Sequence, residues 1–200
     1  MDMETNKTIV LEAIRRRRST RAFLKDPVPE EIINEIIDAG RHAPSANNTQ
    51  LTHLYVISTE EKRAELKAVF NAALACMKPK EGMSPSLLKL IGRAKEEEVD
   101  FTYGAPVLIV STHRKDSPNA AADCACVLEN MMLAASVSGI ACVWINQFFS
   151  LRSEQPIIDF FASLGVSEDE TIFGSLSLGY AESIASEPLP RTGFPVTYIR

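Results

Sequence analysis

Apolar residues recur along this chain with two periods, and the switch between them marks the elements. Near the N-terminus Ile9, Val10, Ala13 and Ile14 predict a helix that opens near Thr8 and runs into a block of arginines. Pro27 and Pro29 then block helix. Pro29 suits a first helical position, Ile32, Ile33, Ile36 and Ile37 give the helical period, and Gly40 is placed to stop it. Residues 43–50 are dominated by proline, serine and asparagine and read as loop. Residues 53–58 read as a strand. Ser58-Thr59-Glu60-Glu61 then fits a capping box that opens a helix bearing Leu66, Val69, Phe70 and Leu74. Residues 78–100 are polar and mixed, a variable surface excursion expected near the active site, with a short helix around Leu87 to Ile91. Beyond it come a strand at 106–112, a long helix at 119–138 and a strand at 141–145. A helix at 157–164 ends at Gly165, a strand covers 171–179, and the tail 180–200 is extended and carries prolines.

About five helices and four strands, without regular βα alternation, predict an α+β fold: a short, mostly antiparallel sheet flanked by helices, in one domain spanning 1–200. Such a chain buries enough surface to need no disulfide or metal staple. The 119–138 helix has Asp123 and Glu129 as its only charges. A helix apolar nearly all round must be covered on all sides, so it is a central helix, a subunit interface, or both. Asp123, Glu129 and Gly139 interrupt the apolar run 120–145, which reads as a buried helix and a strand and not as a membrane span.

Composition narrows the function. Hydrophobic residues make up 46% and charged residues 24%, and the net charge of −5 argues against a general nucleic-acid binder. Cys76, Cys124, Cys126 and Cys142 lie apart from His42, His53 and His113, and no zinc spacing appears, so no metal is expected. The polar N-terminus lacks the apolar core of a secretory signal, and buried, reduced cysteines suit a cytoplasmic protein. No GxGxxG, GxxxxGK[ST], HExxH or GxSxG occurs, which argues against a Rossmann dehydrogenase.

Four segments could carry chemistry. In Arg15-Arg16-Arg17-Arg18-Ser19-Thr20-Arg21, alternate side chains of an extended chain share one side. If the helix unwinds near Arg17, then Arg17, Ser19 and Arg21 converge and can hold one phosphate through charge-assisted hydrogen bonds. The same block also reads as a solvated helix end that favours its own dipole. Ala43-Pro44-Ser45-Ala46-Asn47-Asn48-Thr49-Gln50 offers amide donors and acceptors suited to the edge of a flat heterocycle, and equally suits a plain helix-to-strand turn. Trp144, the only tryptophan, lies on a strand after the apolar helix. Arg191 follows Pro188-Leu189-Pro190 in the tail.

In this order, from about Ile9 to Arg191, the segments resemble the nitroreductase family of flavoproteins. Arg17-Arg18-Ser19-Thr20-Arg21 is similar to that family's first FMN-phosphate motif and residues 43–50 to its flavin-edge loop. Phe101 to Val110, the helix ending at Gly139 and the Trp144 strand are similar too. The resemblance implies an intertwined homodimer with FMN at two interfacial sites. Arg17 and Ser19 would hold the phosphate, with Arg18 nearby, and Arg21 would reach the pyrimidine side or the ribityl chain. Pro44, Ser45, Asn48 and Gln50 would come from the partner, and Arg191 would be a second phosphate ligand. It further implies NAD(P)H as donor and a small oxidised acceptor, such as a nitroaromatic or quinone, reduced in a ping-pong scheme through flavin N5. Reductive dehalogenation, flavin remodelling, or flavin binding without turnover are the alternatives on the same fold. Two departures stand out: Gln50 is followed by Leu51-Thr52 where many members have Pro-Trp, and Asn47 stands where glycine is common.

Overall fold

Alternation along the strands sorts the core into two layers. In the computed structural model, which describes residues 3–183 and 187–200, four strands pair antiparallel. They are β1 (His53–Ile57), β2 (Val107–Arg114), β3 (Ala141–Ile145) and β4 (Glu170–Gly179), in the spatial order β1-β2-β4-β3. Val107 and Ile109 of β2, with Cys142, Leu176 and Leu178, face one side, whereas Leu108 and Val110, with Val143 and Ile145, face the other. A period of two thus buries both faces of one short sheet.

Seven α-helices among the described residues cover these faces, which makes the fold α+β. On one side lie α3 (Glu60–Cys76), α6 (Gln147–Leu151) and α7 (Gln155–Ser163), with α4 (Pro85–Arg93) at their edge. Their centre is aromatic: Phe70, Phe101, Phe148 and Phe161 meet tilted or edge-on at centroid distances of 4.2 to 5.9 Å, pairings worth roughly 0.5–1.5 kcal/mol each beyond their burial. On the other side lie α2 (Glu30–Arg41) and α5 (Ala120–Val137), with α1 (Met3–Arg16) outside them. By length and composition α5 could cross a membrane. Here it packs on the sheet through Leu128, Met131 and Ala135, as a core helix does.

Several boundaries differ from expectation. α1 begins at Met3, a turn before Thr8, but ends at Arg16, so the chain does unwind at Arg17. Pro29 is the cap of α2 and not its first residue, and Gly40 lies inside the helix instead of ending it. A Cβ on Gly40 would stand 2.7 Å from Met131 Cγ, so glycine is there to let α2 approach α5 closely. The capping box is displaced by one residue: Thr59 caps α3 and its hydroxyl accepts from the Lys62 amide, which leaves Glu61 outside the pair. α6 was not anticipated; five residues are too few to show a period. The 78–100 excursion is not wholly superficial, because Ile91 and Val99 sit in the aromatic layer.

Candidate active site

The chain leaving α1 is laid against the sheet. The last helical bond runs from Arg17 N to Ala13 O at 3.1 Å, after which Ser19 bridges to Cys142 and Thr20 N donates to Cys142 O at 2.9 Å. Phe23 pairs with Ala181, and Leu24 N donates to Tyr180 O at 2.8 Å. Residues 19–24 therefore run extended beside β3 and past the end of β4. They wall a cleft of about 1020 Å³, whose other side is the end of α5 and its turn, with Ser136, Gly139 and Ile140, and the start of β3 with Cys142. No residue of 78–100 lines it among the described residues.

Charge in this cleft is one-sided. Arg16, Arg18 and Arg21 line it with Ser19 and Thr20, against a single carboxylate, Asp26. Arg16 is engaged with Glu12 at 2.9 Å. Arg18 donates through Nη1 to the Glu187 carbonyl at 2.8 Å, pinning the tail beside the cleft. Arg21 has no hydrogen bond or ion pair among the described residues and is free for a ligand. Arg17 is placed differently from the expected convergence. It is absent from the lining, and its Nε lies 3.5 Å from Glu129 Oε1 on α5. Its charge still bears on the cleft wall. Burial pushes the Cys142 thiol up to about 11, and Arg17 pulls the other way. Two guanidinium forks, two hydroxyls and an extended backbone are a donor set suited to a phosphate.

The second sequence cluster lies elsewhere. Residues 46–48 form a 3₁₀ turn, and Asn47, Asn48 and Gln50 have φ of 52°, 55° and 53°. Asparagine enters this left-handed region more readily than other non-glycine residues, which accounts for Asn47 at a position where the family that the sequence resembles commonly has glycine. The turn is held by Gln50 N donating to Ser45 Oγ at 2.9 Å and by Ala46 N donating to Asp123 Oδ1 at 3.1 Å. Gln50 Nε2 donates to Asn48 Oδ1 at 3.1 Å. Pro44, Asn48 and Gln50 stand exposed at its tip.

These clusters sit at opposite ends of α5. The loop is tied to Asp123 in its first turn, and the cleft borders Ser136 in its last. At about 1.5 Å per residue they lie roughly 20 Å apart along the helix. Within one chain the structure brings Arg18, Ser19 and Arg21 together and keeps Pro44, Ser45, Asn48 and Gln50 away. Arg191 is exposed in the extended tail. Sequence reasoning missed Thr20 and Cys142 as cleft residues and Asp123 as the anchor of the loop. Asp123 had a signal: it is one of two acids on an otherwise apolar helix.

Known proteins share this fold. The model of the Nitroreductase family matches residues 14–180. A nitroreductase from Bacteroides fragilis, solved with bound FMN, is 31% identical and superposes with a TM-score of 0.84 over 96% of this chain and 98% of that one. A chloronitrobenzene nitroreductase of Comamonas testosteroni is 28% identical, covering 86% of each chain. The FMN-dependent nitroreductase NfnB of Mycobacterium smegmatis, solved in complex with NADPH, shares the fold at a TM-score of 0.71 and 24% identity, over 98% of this chain and 100% of that one.

Proposed function

The chain belongs to the nitroreductase family, and on that premise we propose that it is a dimeric NAD(P)H-dependent FMN oxidoreductase whose two active sites are each built from two subunits. The observation that carries this reading is the separation of its two ligand-binding clusters by the length of α5. A second copy that lays its 44–50 loop over the cleft supplies the missing half. The dimer is of the closed two-fold kind, in which each copy gives and receives the same elements.

The residues present fit FMN. Arg18 and Ser19 hold the phosphate, with Arg17 behind them contributing charge and Arg191 joining from the tail. Arg21 lies toward the ribityl chain or the pyrimidine edge. The partner's copies of Pro44, Ser45, Asn48 and Gln50 contact the ring through amide and backbone groups. When bound, FMN supplies hydride acceptance and redelivery at its N5, from NAD(P)H to a small oxidised acceptor in alternate half-reactions. The side chains carry no nucleophile for this. They hold the ring, place positive charge where negative charge develops, and shape a cavity that donor and acceptor enter in turn. A nitroaromatic or quinone acceptor belongs to this proposal, as does a cytoplasmic setting, which the four free cysteines suit.

The test is direct. The purified protein should be yellow, and its heat-released cofactor should run as FMN. Initial rates with NADPH or NADH against a nitroaromatic should give parallel double-reciprocal lines. Release of FAD, or failure to bind any flavin on reconstitution, contradicts the reading. Intersecting lines contradict the alternate half-reactions alone.

A further inference from the structure

One buried polar group of the α5 side is used by nothing described so far, and it faces the anchor of the 44–50 loop. His113, near the end of β2, is 0% exposed, and neither ring nitrogen has a hydrogen-bond partner among the described residues. Its ring meets Phe173 edge-on at 6.4 Å, and its Nε2 lies 3.6 Å from Asp123 Oδ2. Asp123 is 5% exposed; Oδ2 has no hydrogen bond, while Oδ1 accepts from the Ala46 amide. Cys124 repeats the stitch beside it, with its Sγ 3.7 Å from the Thr112 carbonyl and 3.8 Å from Thr52 Oγ1. A buried imidazole and a buried carboxylate each carry a desolvation cost that an apolar pair would not. Their position between β2 and the 44–50 loop gives that cost a purpose.

We propose that His113 and Asp123 are positioning residues for the active-site loop. His113 sets its Nε2 3.6 Å from Asp123 Oδ2 and so limits the rotation of the carboxyl group, keeping Oδ1 on the Ala46 amide. That bond holds the loop with Asn47, Asn48 and Gln50 in the left-handed region, so that Asn48 and Gln50 stand at the tip in one arrangement. A carboxylate bonded to a backbone amide is a strong, directional tether. Left-handed residues persist only where their surroundings over-determine them. The proposal rests on the assignment of this loop to the partner's flavin.

The test uses the purified, flavin-loaded dimer and three substitutions, Asp123→Ala, Asp123→Asn and His113→Phe. Amide hydrogen exchange of 44–50 reports the tether without reference to the cofactor, and FMN titration reports its consequence. Asp123→Ala should speed exchange of 44–50 by about tenfold or more and weaken FMN by about tenfold, the scale of one charge-assisted hydrogen bond. Exchange in β4 should stay as it is. Asp123→Asn keeps an acceptor oxygen and should restore both readouts to within about threefold of the parent. His113→Phe should move both in the same direction as Asp123→Ala and add nothing in the Asp123→Ala background. Unchanged exchange in Asp123→Ala, or an Asp123→Asn variant as impaired as Asp123→Ala, overturns the proposal. Faster loop exchange with unchanged FMN affinity leaves the tether standing and overturns the loop's assignment to the flavin.

Discussion

The two sides of the sheet are finished to different degrees. The α3–α6–α7 side closes on itself: Phe70, Phe101 and Phe148 are almost wholly enclosed by residues of the same chain. The α5 side does not. Ile9, Val10 and Ile14 of α1 and Val137 at the end of α5 are exposed, and the tail leaves Phe194 86% and Ile199 96% exposed. Exposed apolar residues in this number suit an interaction site. Every candidate site residue lies on that open side or on the loop tethered to it. On the proposed dimer, one half of the molecule supplies stability within the chain, and the other is the half that a second copy would complete.

The comparison can be broken in order of expected effect. The largest should come from deleting residues 192–200, which removes Phe194, Val196, Tyr198 and Ile199. At roughly 1.5 kcal/mol or more for each large side chain buried in a dimer, this takes away about 6 kcal/mol per copy. Sedimentation at micromolar concentration should then show one chain mass where the parent shows two. A truncated chain that stays dimeric would mean that the tail is not part of the interface.

Phe148→Ala acts on the closed side. It should cost about 3–5 kcal/mol in denaturant unfolding while the folded fraction binds FMN as before, because no residue of α3, α6 or α7 lines the cleft. A comparable loss of FMN affinity would erase the distinction between the sides.

Smaller effects belong to the cleft. Arg18→Ala should weaken FMN by about 1.5–3 kcal/mol, tenfold to a hundredfold or so in affinity. Ser19→Ala, a neutral donor, should cost about 0.5–1.5 kcal/mol. Arg15→Ala should change affinity by less than about 0.5 kcal/mol, because Arg15 lies on the exposed face of α1 beside Glu12. Equal losses at Arg15 and Arg18 would describe a diffuse basic surface. The mildest test is chemical. Burial holds the thiols of Cys124 and Cys142 up at about 11, so at pH 8 only about one in a thousand is thiolate. Iodoacetamide should label exposed Cys76 well before either of them.

Period made the strands and α2 legible from sequence, since each buries a face set by its own repeat, whereas α5 was legible from its near lack of charge. The burial of both sheet faces has a counterpart in the apolar run Val107 to Val110 that opens β2. What the sequence hid was set by contacts distant in the chain. Gly40 reads as a helix stop until Met131 is seen against it. Arg17 reads as a cleft residue until Glu129 is seen beside its Nε. Asp123 reads as a stray charge until Ala46 is found on it. The site motifs were visible as segments, but their distance from one another was not, because it is the length of a helix lying between them in space.

That distance is the core of the proposal, and subunit mixing tests it most directly. One variant carries Arg18→Ala with Ser19→Ala, which disables the cleft; another carries Asn48→Ala with Gln50→Ala, which disables the loop. Each alone should bind FMN poorly. Unfolded apart or co-expressed to give random dimers in equal amounts, half the dimers are mixed, and each mixed dimer has one site with an intact cleft and an intact loop. Flavin binding and NAD(P)H oxidation should therefore return to about a quarter of the parent level. Mixed dimers that form but recover nothing would place the whole site in one chain and contradict the two-subunit site.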